Sequence, residues 1–298
     1  MDLEQLQRIF NHYSDTKLTD WQKNDFPVAN QSFIVTTADG ERFVIKIFIT
    51  QEPESALIEA KIQERLNGDG IITPRYLQLN NGQVMDSEKS HHFAISEFIP
   101  GQRPSRYTKS LIKSFGQTMG LIHKALNGLQ VPSNDSQWLS MPNAWRSLRQ
   151  YSGQYTTEIE QTLNQSEAIL KLPLPETTIH GDLMDDNVFA ANGLITVVFD
   201  IETAQTGLRV LDLSRTYLSM MLRGDYGADD TMRLLIQAYN AEASHPLSSE
   251  EIGYLPDFIS YTAAACAAWC GENTAGKFVG RYLEAGKRRL DTRLLKQS

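Results

Sequence analysis

His180-Gly181-Asp182-Leu183-Met184-Asp185-Asp186-Asn187 is followed by Val188-Phe189-Ala190-Ala191, then Asn192-Gly193, then Ile195-Thr196-Val197-Val198-Phe199-Asp200. Asn-Gly between two apolar runs is the strongest short-range signal of a β-hairpin. Folding about Asn192-Gly193 brings the start of the first strand beside the end of the second, so Asn187 and Asp200 are expected together at one end. Asp182 belongs to the same end. An amide oxygen and a carboxylate converging beside a second carboxylate suit a hard cation such as Mg²⁺, which takes a few protein oxygens and completes its shell with water and substrate phosphates. The spare carboxylate can then orient a hydroxyl. Taken singly, Asp182 and Asn187 read equally well as turn residues and Asp200 as a strand end, since Asp and Asn abound where chains reverse.

Taken together, the residues resemble the signature of the protein-kinase-like phosphotransferases that act on small molecules: aminoglycoside phosphotransferases, choline kinases and homoserine kinases. His-Gly-Asp-Leu-x-x-x-Asn, an apolar run and a strand-terminal Asp are related to the catalytic loop and metal-binding Asp of protein kinases. The resemblance implies an α+β, two-lobed protein-kinase-like fold. It has a small, mainly antiparallel β N-lobe (residues 1–100) that binds nucleotide, and a larger, mainly helical C-lobe (residues 101–298) with the catalytic loop and acceptor site. It further implies ATP and Mg²⁺ as cofactors, Asp182 as catalytic base, Asn187 and Asp200 as metal ligands, and His180 as a residue that packs the loop.

A chain of 298 residues that is 41% hydrophobic can bury a substantial core. The formal net charge of -8 argues against nucleic acid or an anionic membrane as partner, because both reward clustered Lys and Arg. A cationic or zwitterionic acceptor is easier to accommodate. The start, Met1-Asp2-Leu3-Glu4-Gln5, lacks the basic flank and apolar core of a signal peptide, and no apolar run approaches the ~20 residues that span a bilayer. A cytoplasmic protein is expected. The two cysteines, Cys266 and Cys270, are spaced i, i+4 among alanines, which reads as one packed helix face.

The first hundred residues read as mostly β. Runs at 32–36 and 42–48 flank Asp39-Gly40, a second hairpin signal. Lys46 on the second run shares a face with Val44 and Phe48, so its ammonium is expected over apolar surface in want of an anionic partner. Glu54 to Leu66 has helical spacing, with Pro53 suited to its first turn and Glu59 on it. The resemblance assigns Lys46 to the α and β phosphates of ATP and Glu59 to the glutamate that pairs with it; Glu64 is a second candidate partner. Where protein kinases carry a glycine-rich loop, Phe26-Pro27-Val28-Ala29-Asn30-Gln31-Ser32 holds no glycine, which leaves Asn30 and Ser32 as candidate phosphate donors or as turn residues. Segments 76–79 and 83–85 about Asn80-Asn81-Gly82 suggest a third hairpin. Phe93 to Ile99 reads as a strand stopped by Pro100-Gly101, and by resemblance the backbone of Glu97 to Ile99 meets the adenine.

From Lys109 onward helices dominate. A 3.6-residue pattern from Leu111 to Ile122 ends near Asn127-Gly128 and includes His123, which reads as packed. Leu129 to Pro142 reads as a polar connector; Trp138 in it, with Trp145 and Tyr151 beyond, is read as core or as acceptor-pocket lining. Asp212, at the start of a helix, is expected to cap free amides. Asp200-Ile201-Glu202 replaces the Asp-Phe-Gly of protein kinases, so their regulatory toggle is not supported, and Glu202 is a candidate for extra negative charge beside the metal or for contact with an acceptor amine.

These readings converge on transfer of the γ-phosphate of ATP to a hydroxyl of a small, amine-bearing acceptor. Homoserine, choline or ethanolamine, a sugar and an aminoglycoside all remain open, and the run 186–189 is most similar to homoserine-kinase-like members. A nucleotide-binding pseudokinase or scaffold without turnover is the alternative from another class. A protein kinase is disfavoured by the absent glycine-rich loop and the absent activation segment. Oligomeric state has no sequence signal.

Overall fold

The computed structural model describes residues 1–24, 30–49, 53–89, 91–131, 139–224 and 226–296. The stretch 26–29 ahead of Asn30 and the connector 132–138 with Trp138 lie outside the described residues. The chain divides into two compact units, Met1–Gly101 and Gln102–Ser298.

In the first unit the elements are α1 (Leu3–Phe10), β1 (Leu18–Asn24), β2 (Gln31–Thr37), β3 (Arg42–Phe48), α2 (Pro53–Gly68), β4 (Asp86–Glu88) and β5 (His91–Glu97). The strands form one antiparallel sheet in the order β1-β2-β3-β5-β4. Alternation decides its faces. Phe33, Val35, Ile45, Ile47, Phe93 and Ile95 fall on one side and are buried with Leu6, Ile9 and Phe10 of α1. Helix α1 begins in a capping box, in which Asp2 accepts from Gln5 N–H at 2.8 Å and the Gln5 side chain accepts from Asp2 N–H at 2.9 Å. The opposite face holds a smaller cluster of Phe48, Ala56 and Ala94.

The expected third hairpin does not form. Leu79 N–H donates to Gln83 O and closes the turn, but the Leu77 N–H goes to Ile95 O of β5 and the Asn80 N–H to His12 O. With those donors spent elsewhere, the two arms have no ladder to share, and only the bridge Tyr76↔Ser96 is made. The strand that adds to β5 is instead β4, three residues later in the chain than the expected arm.

The second unit comprises α3 (Lys109–Ala125), α4 (Met141–Gln150), α5 (Thr156–Ser166), β6 (Glu176–Ile179), β7 (Val188–Ala191), β8 (Leu194–Val198), β9 (Gln205–Leu208), α6 (Val210–Arg223), α7 (Ala228–Glu242), α8 (Ser249–Asn273), α9 (Val279–Gly286) and α10 (Thr292–Leu295). Strands β7 and β8 make the expected hairpin, and β6 pairs antiparallel with β9. Asn192 and Gly193 both have positive φ, 54° and 77°, as a two-residue turn that follows strand twist requires. Helix α8, 25 residues long, packs against α4, α5, α6 and α9, while α3 packs along α7. Cys266 and Cys270 are free and buried on α8; burial pushes the Cys270 thiol up to about 11. Among the described residues no helix is long and apolar enough to cross a membrane.

Candidate active site

Strand β6 ends at Ile179, and the chain then enters the loop His180 to Met184 before a turn of 3₁₀-helix at Asp185–Asn187. His180 is almost fully buried. Its Nδ1 accepts the Asp182 N–H at 3.2 Å and its Nε2 lies 2.9 Å from Phe199 O. The ring therefore staples the loop to the end of β8. Gly181 has φ +83°, and a Cβ there would stand 2.7 Å from Thr203 O, so both the turn and the close approach call for glycine.

The register carries Asn187 to Asp200. Val188 pairs with Val198, and Phe199 N–H donates to Asn187 O at 2.8 Å, so Asn187 sits opposite Phe199 with Asp200 next in the chain. Asn187 Nδ2 donates to Asp182 O at 2.8 Å and to Asp182 Oδ2 at 2.9 Å. With its nitrogen committed, the amide oxygen is what Asn187 can offer a cation. Asp200 is exposed and adopts the left-handed conformation, φ 58° and ψ 55°, which Asp tolerates better than most residues. Among the described residues no group of three or more His, Cys, Asp or Glu side chains could hold a metal ion. The Asn187 amide and the Asp200 carboxylate are a sparse oxygen set of the kind a hard cation shares with phosphates and water.

Asp182 is held from two sides. Oδ2 takes the Asn187 amide, and Oδ1 lies 2.8 Å from Arg215 Nη2. Burial pushes its carboxyl above the usual range, against the opposing pull of Arg215, His180 and Asn187. Arg215 was not anticipated from sequence. It belongs to a polar stripe along α6 that faces the loop from end to end. Asp212 accepts from His180 N–H at 2.8 Å and Gly181 N–H at 2.7 Å, Thr216 Oγ1 donates to Leu183 O at 2.7 Å, and Arg223 pairs with Asp185, whose other oxygen takes the Tyr107 hydroxyl at 3.1 Å. Ser219 Oγ lies 2.9 Å from the same Tyr107 hydroxyl, and positions 212, 215, 216, 219 and 223 recur at helical spacing, so α6 presents them on one side. Asp212 is structural support, as expected, but for amides other than those of its own helix. It makes no cap for its own helix, whose N-cap is Arg209 without a side-chain bond. Instead its carboxylate ends the loop's two orphan amides and pairs with the buried His123, whose other ring nitrogen lies 3.0 Å from the Tyr239 hydroxyl. Burial raises the Asp212 carboxyl, but the His123 contact, His180 and the Gly181 N–H outweigh it and hold it below the ordinary range.

In the first unit, Lys46 Nζ lies 3.1 Å from Glu59 Oε2 and over the Phe48 ring, with both charged side chains largely buried. Glu64 is exposed and Glu59 takes the pair. Asn30 is buried and its Oδ1 accepts from Ile49 N–H at 3.0 Å, tying the start of β2 to the end of β3. Glu97 closes β5 opposite Phe43; the next amide, Phe98 N–H, donates to Arg42 O, and Ile99 follows at the unit's edge. Trp145 is half-buried on α4, and Tyr151 packs its ring over Gly271 of α8.

Residues 21–246 match the family model described as the phosphotransferase enzyme family. The chain is 27% identical over 241 residues to a homoserine kinase of Gluconobacter oxydans, covering 77% of this chain and 74% of that protein. Among solved structures, the amicoumacin kinase hAmiN, in complex with AMP-PNP, Ca²⁺ and Ami, superimposes with a TM-score of 0.78 at 16% identity over 99% of this chain and 97% of that one. An aminoglycoside phosphotransferase from Alicyclobacillus acidocaldarius gives a TM-score of 0.71 at 14% identity over 98% and 95%. The protein-kinase-like fold is thus present along nearly the whole chain, and with a family model matching most of its length the chain belongs to the phosphotransferase enzyme family, as a small-molecule phosphotransferase.

Proposed function

We propose that this protein moves the γ-phosphoryl group of ATP to a hydroxyl of a small, amine-bearing acceptor of the homoserine, choline or aminoglycoside kind. The observation that carries the reading is the Asp182 carboxylate, clamped by Asn187 and Arg215 on a loop whose hairpin ends in Asp200. Asp182 aligns the acceptor hydroxyl and takes its proton as the oxygen bonds to phosphorus and ADP departs. The Asn187 amide oxygen and the Asp200 carboxylate would hold Mg²⁺, which when bound would supply neutralisation of phosphate charge. In the first unit, Lys46, braced by Glu59, engages the α and β phosphates; Asn30, next to the start of β2, offers a donor to the phosphates, and the backbone of Glu97 and Ile99 serves the adenine. Little covalent chemistry is asked of the protein, and positioning supplies most of the acceleration. The net charge of -8 and the position of Glu202, two residues beyond Asp200, favour an acceptor that carries an ammonium.

The test is ADP release from Mg-ATP across a panel of amino acids, amino alcohols, sugars and aminoglycosides, with Asp182→Asn as control. Acceptor-dependent turnover is expected, falling roughly 10²- to 10⁴-fold in the variant while ATP binding persists, the span that a positioned base contributes. Nucleotide binding with no turnover on any acceptor would favour a pseudokinase, and undiminished turnover in Asp182→Asn would remove Asp182 as the base.

A further inference from the structure

We infer that Arg215 is a positioning residue for phosphoryl transfer, acting through Asp182 and not on the substrate. The inference rests on the reading of Asp182 as the base. The Arg215 side chain is 4% exposed and the Asp182 side chain 20%, so the guanidinium stands behind the carboxylate and the carboxylate is the part that solvent and an acceptor can reach. Each Asp182 oxygen then has its own anchor, Oδ1 on Arg215 and Oδ2 on Asn187, and rotation of the carboxylate about its Cβ–Cγ bond would break both contacts at once. Arg215 is itself immobilised. It lies on the buried helix α6, with the Tyr282 ring of α9 5.9 Å from its guanidinium carbon. A guanidinium, always charged and weakly hydrated, suits a buried carboxylate better than a flexible ammonium does.

A buried ion pair is poor evidence of stabilisation, because removing two charges from water offsets most of their attraction. Orientation of a reacting group is a different matter. Displacing a reacting group by about 1 Å can cost on the order of 10²-fold in rate. Other residues of the α6 stripe fasten the loop by its backbone or by Asp185; Arg215 donates to Met184 Sδ at 2.8 Å and also meets the carboxylate that would do the chemistry.

The experiment is steady-state kinetics on the full chain for Arg215→Met, Arg215→Lys, Asp182→Asn and the double variant Asp182→Asn/Arg215→Met, using whichever acceptor the panel identifies. Arg215→Met should lower kcat about 10²-fold with KM for ATP little changed, and Arg215→Lys should recover part of the loss. In the Asp182→Asn background, Arg215→Met should bring no further loss, because a residue that acts through Asp182 has nothing left to position. Losses that multiply in the double variant, or an unchanged kcat in Arg215→Met, would overturn the inference. Should Arg215→Met fail to fold, Arg215→Lys decides alone: reduced kcat at unchanged KM for ATP supports the role, and wild-type kcat refutes it. Retained turnover in Asp182→Asn is a separate result that strikes at the base assignment.

Discussion

Replacing Asp212 by Asn should loosen the loop 180–184 and destabilise the helical unit together. The native carboxylate is fully buried and serves three donors: His180 N–H at 2.8 Å, Gly181 N–H at 2.7 Å and His123 Nε2 at 2.9 Å. An asparagine keeps one acceptor oxygen and sets an NH₂ group against at least one of those donors. Hydrogen bonds to a charged group contribute about 1.5–3 kcal/mol each, and the substitution weakens or removes about two of the three. We take about 3–5 kcal/mol as the expected change, a large share of a total stability on the order of 5–15 kcal/mol. With a urea m-value of about 3 kcal/mol/M, the unfolding midpoint should fall by about 1–1.7 M. Urea titration followed by far-UV circular dichroism measures it, and the same preparation gives kcat. The loop amides of His180 and Gly181 should also exchange faster with solvent, since their acceptor has weakened. A midpoint within about 0.3 M of wild type with unchanged kcat would refute the argument, showing that the loop keeps its shape without the Asp212 charge.

Two further outcomes follow from the same geometry. Gly181→Ala meets a left-handed φ that costs an L-residue about 1–2 kcal/mol and a Cβ that would stand 2.7 Å from Thr203 O; lower Tm and lower kcat are expected, and a variant equal to wild type in both would mean the loop has room to shift. Glu251→Gln breaks a buried fork in which Arg209 donates at 2.6 and 2.7 Å, and should cost about 3–5 kcal/mol at neutral pH. Burial raises the Glu251 carboxyl, but the Arg209 and Ser248 contacts prevail and hold it below its ordinary value. Its stabilisation is therefore complete above the unfolded pKa of about 4.3 and is lost as pH falls through the lower folded value. The gap in stability between wild type and Glu251→Gln should narrow below about pH 4, whereas a gap of constant size down to pH 3 would contradict the ion pair.

Elements whose signals are local were legible in the chain. Asp39-Gly40 and Asn192-Gly193 each close the hairpin they announce, and the period-two reading of 42–48 placed Lys46 on the face it occupies with Phe48. The misses are equally physical. Strand β1 carries mainly polar residues at the sheet's edge, so no alternation marks it. Helix α1, only eight residues long, owes its place to Leu6, Ile9 and Phe10 packing on strands distant in sequence. The Asn80-Asn81-Gly82 turn is present, but its flanks give their amides to β5 and to the end of α1, a choice set by tertiary neighbours and invisible in the run itself.

For the site the division is sharper. Asp182, Asn187 and Asp200 lie within nineteen positions of one another on a loop and hairpin, and the placing of Asn187 opposite Phe199 could be argued from one turn. The clamp on the loop of Asp182 comes from α6, whose Asp212, Arg215, Thr216, Ser219 and Arg223 look scattered when read along the chain. Their spacing of three and four is a helical stripe, here polar on a helix buried for nearly its whole length. A fully buried helix has no solvent face on which charged residues could rest, so each must find a partner inside. That argument makes Arg215 a functional candidate from composition alone: an arginine among Leu213, Ser214, Thr216 and Tyr217 requires a buried anion, and the anion it meets is the carboxylate on which the proposed chemistry turns.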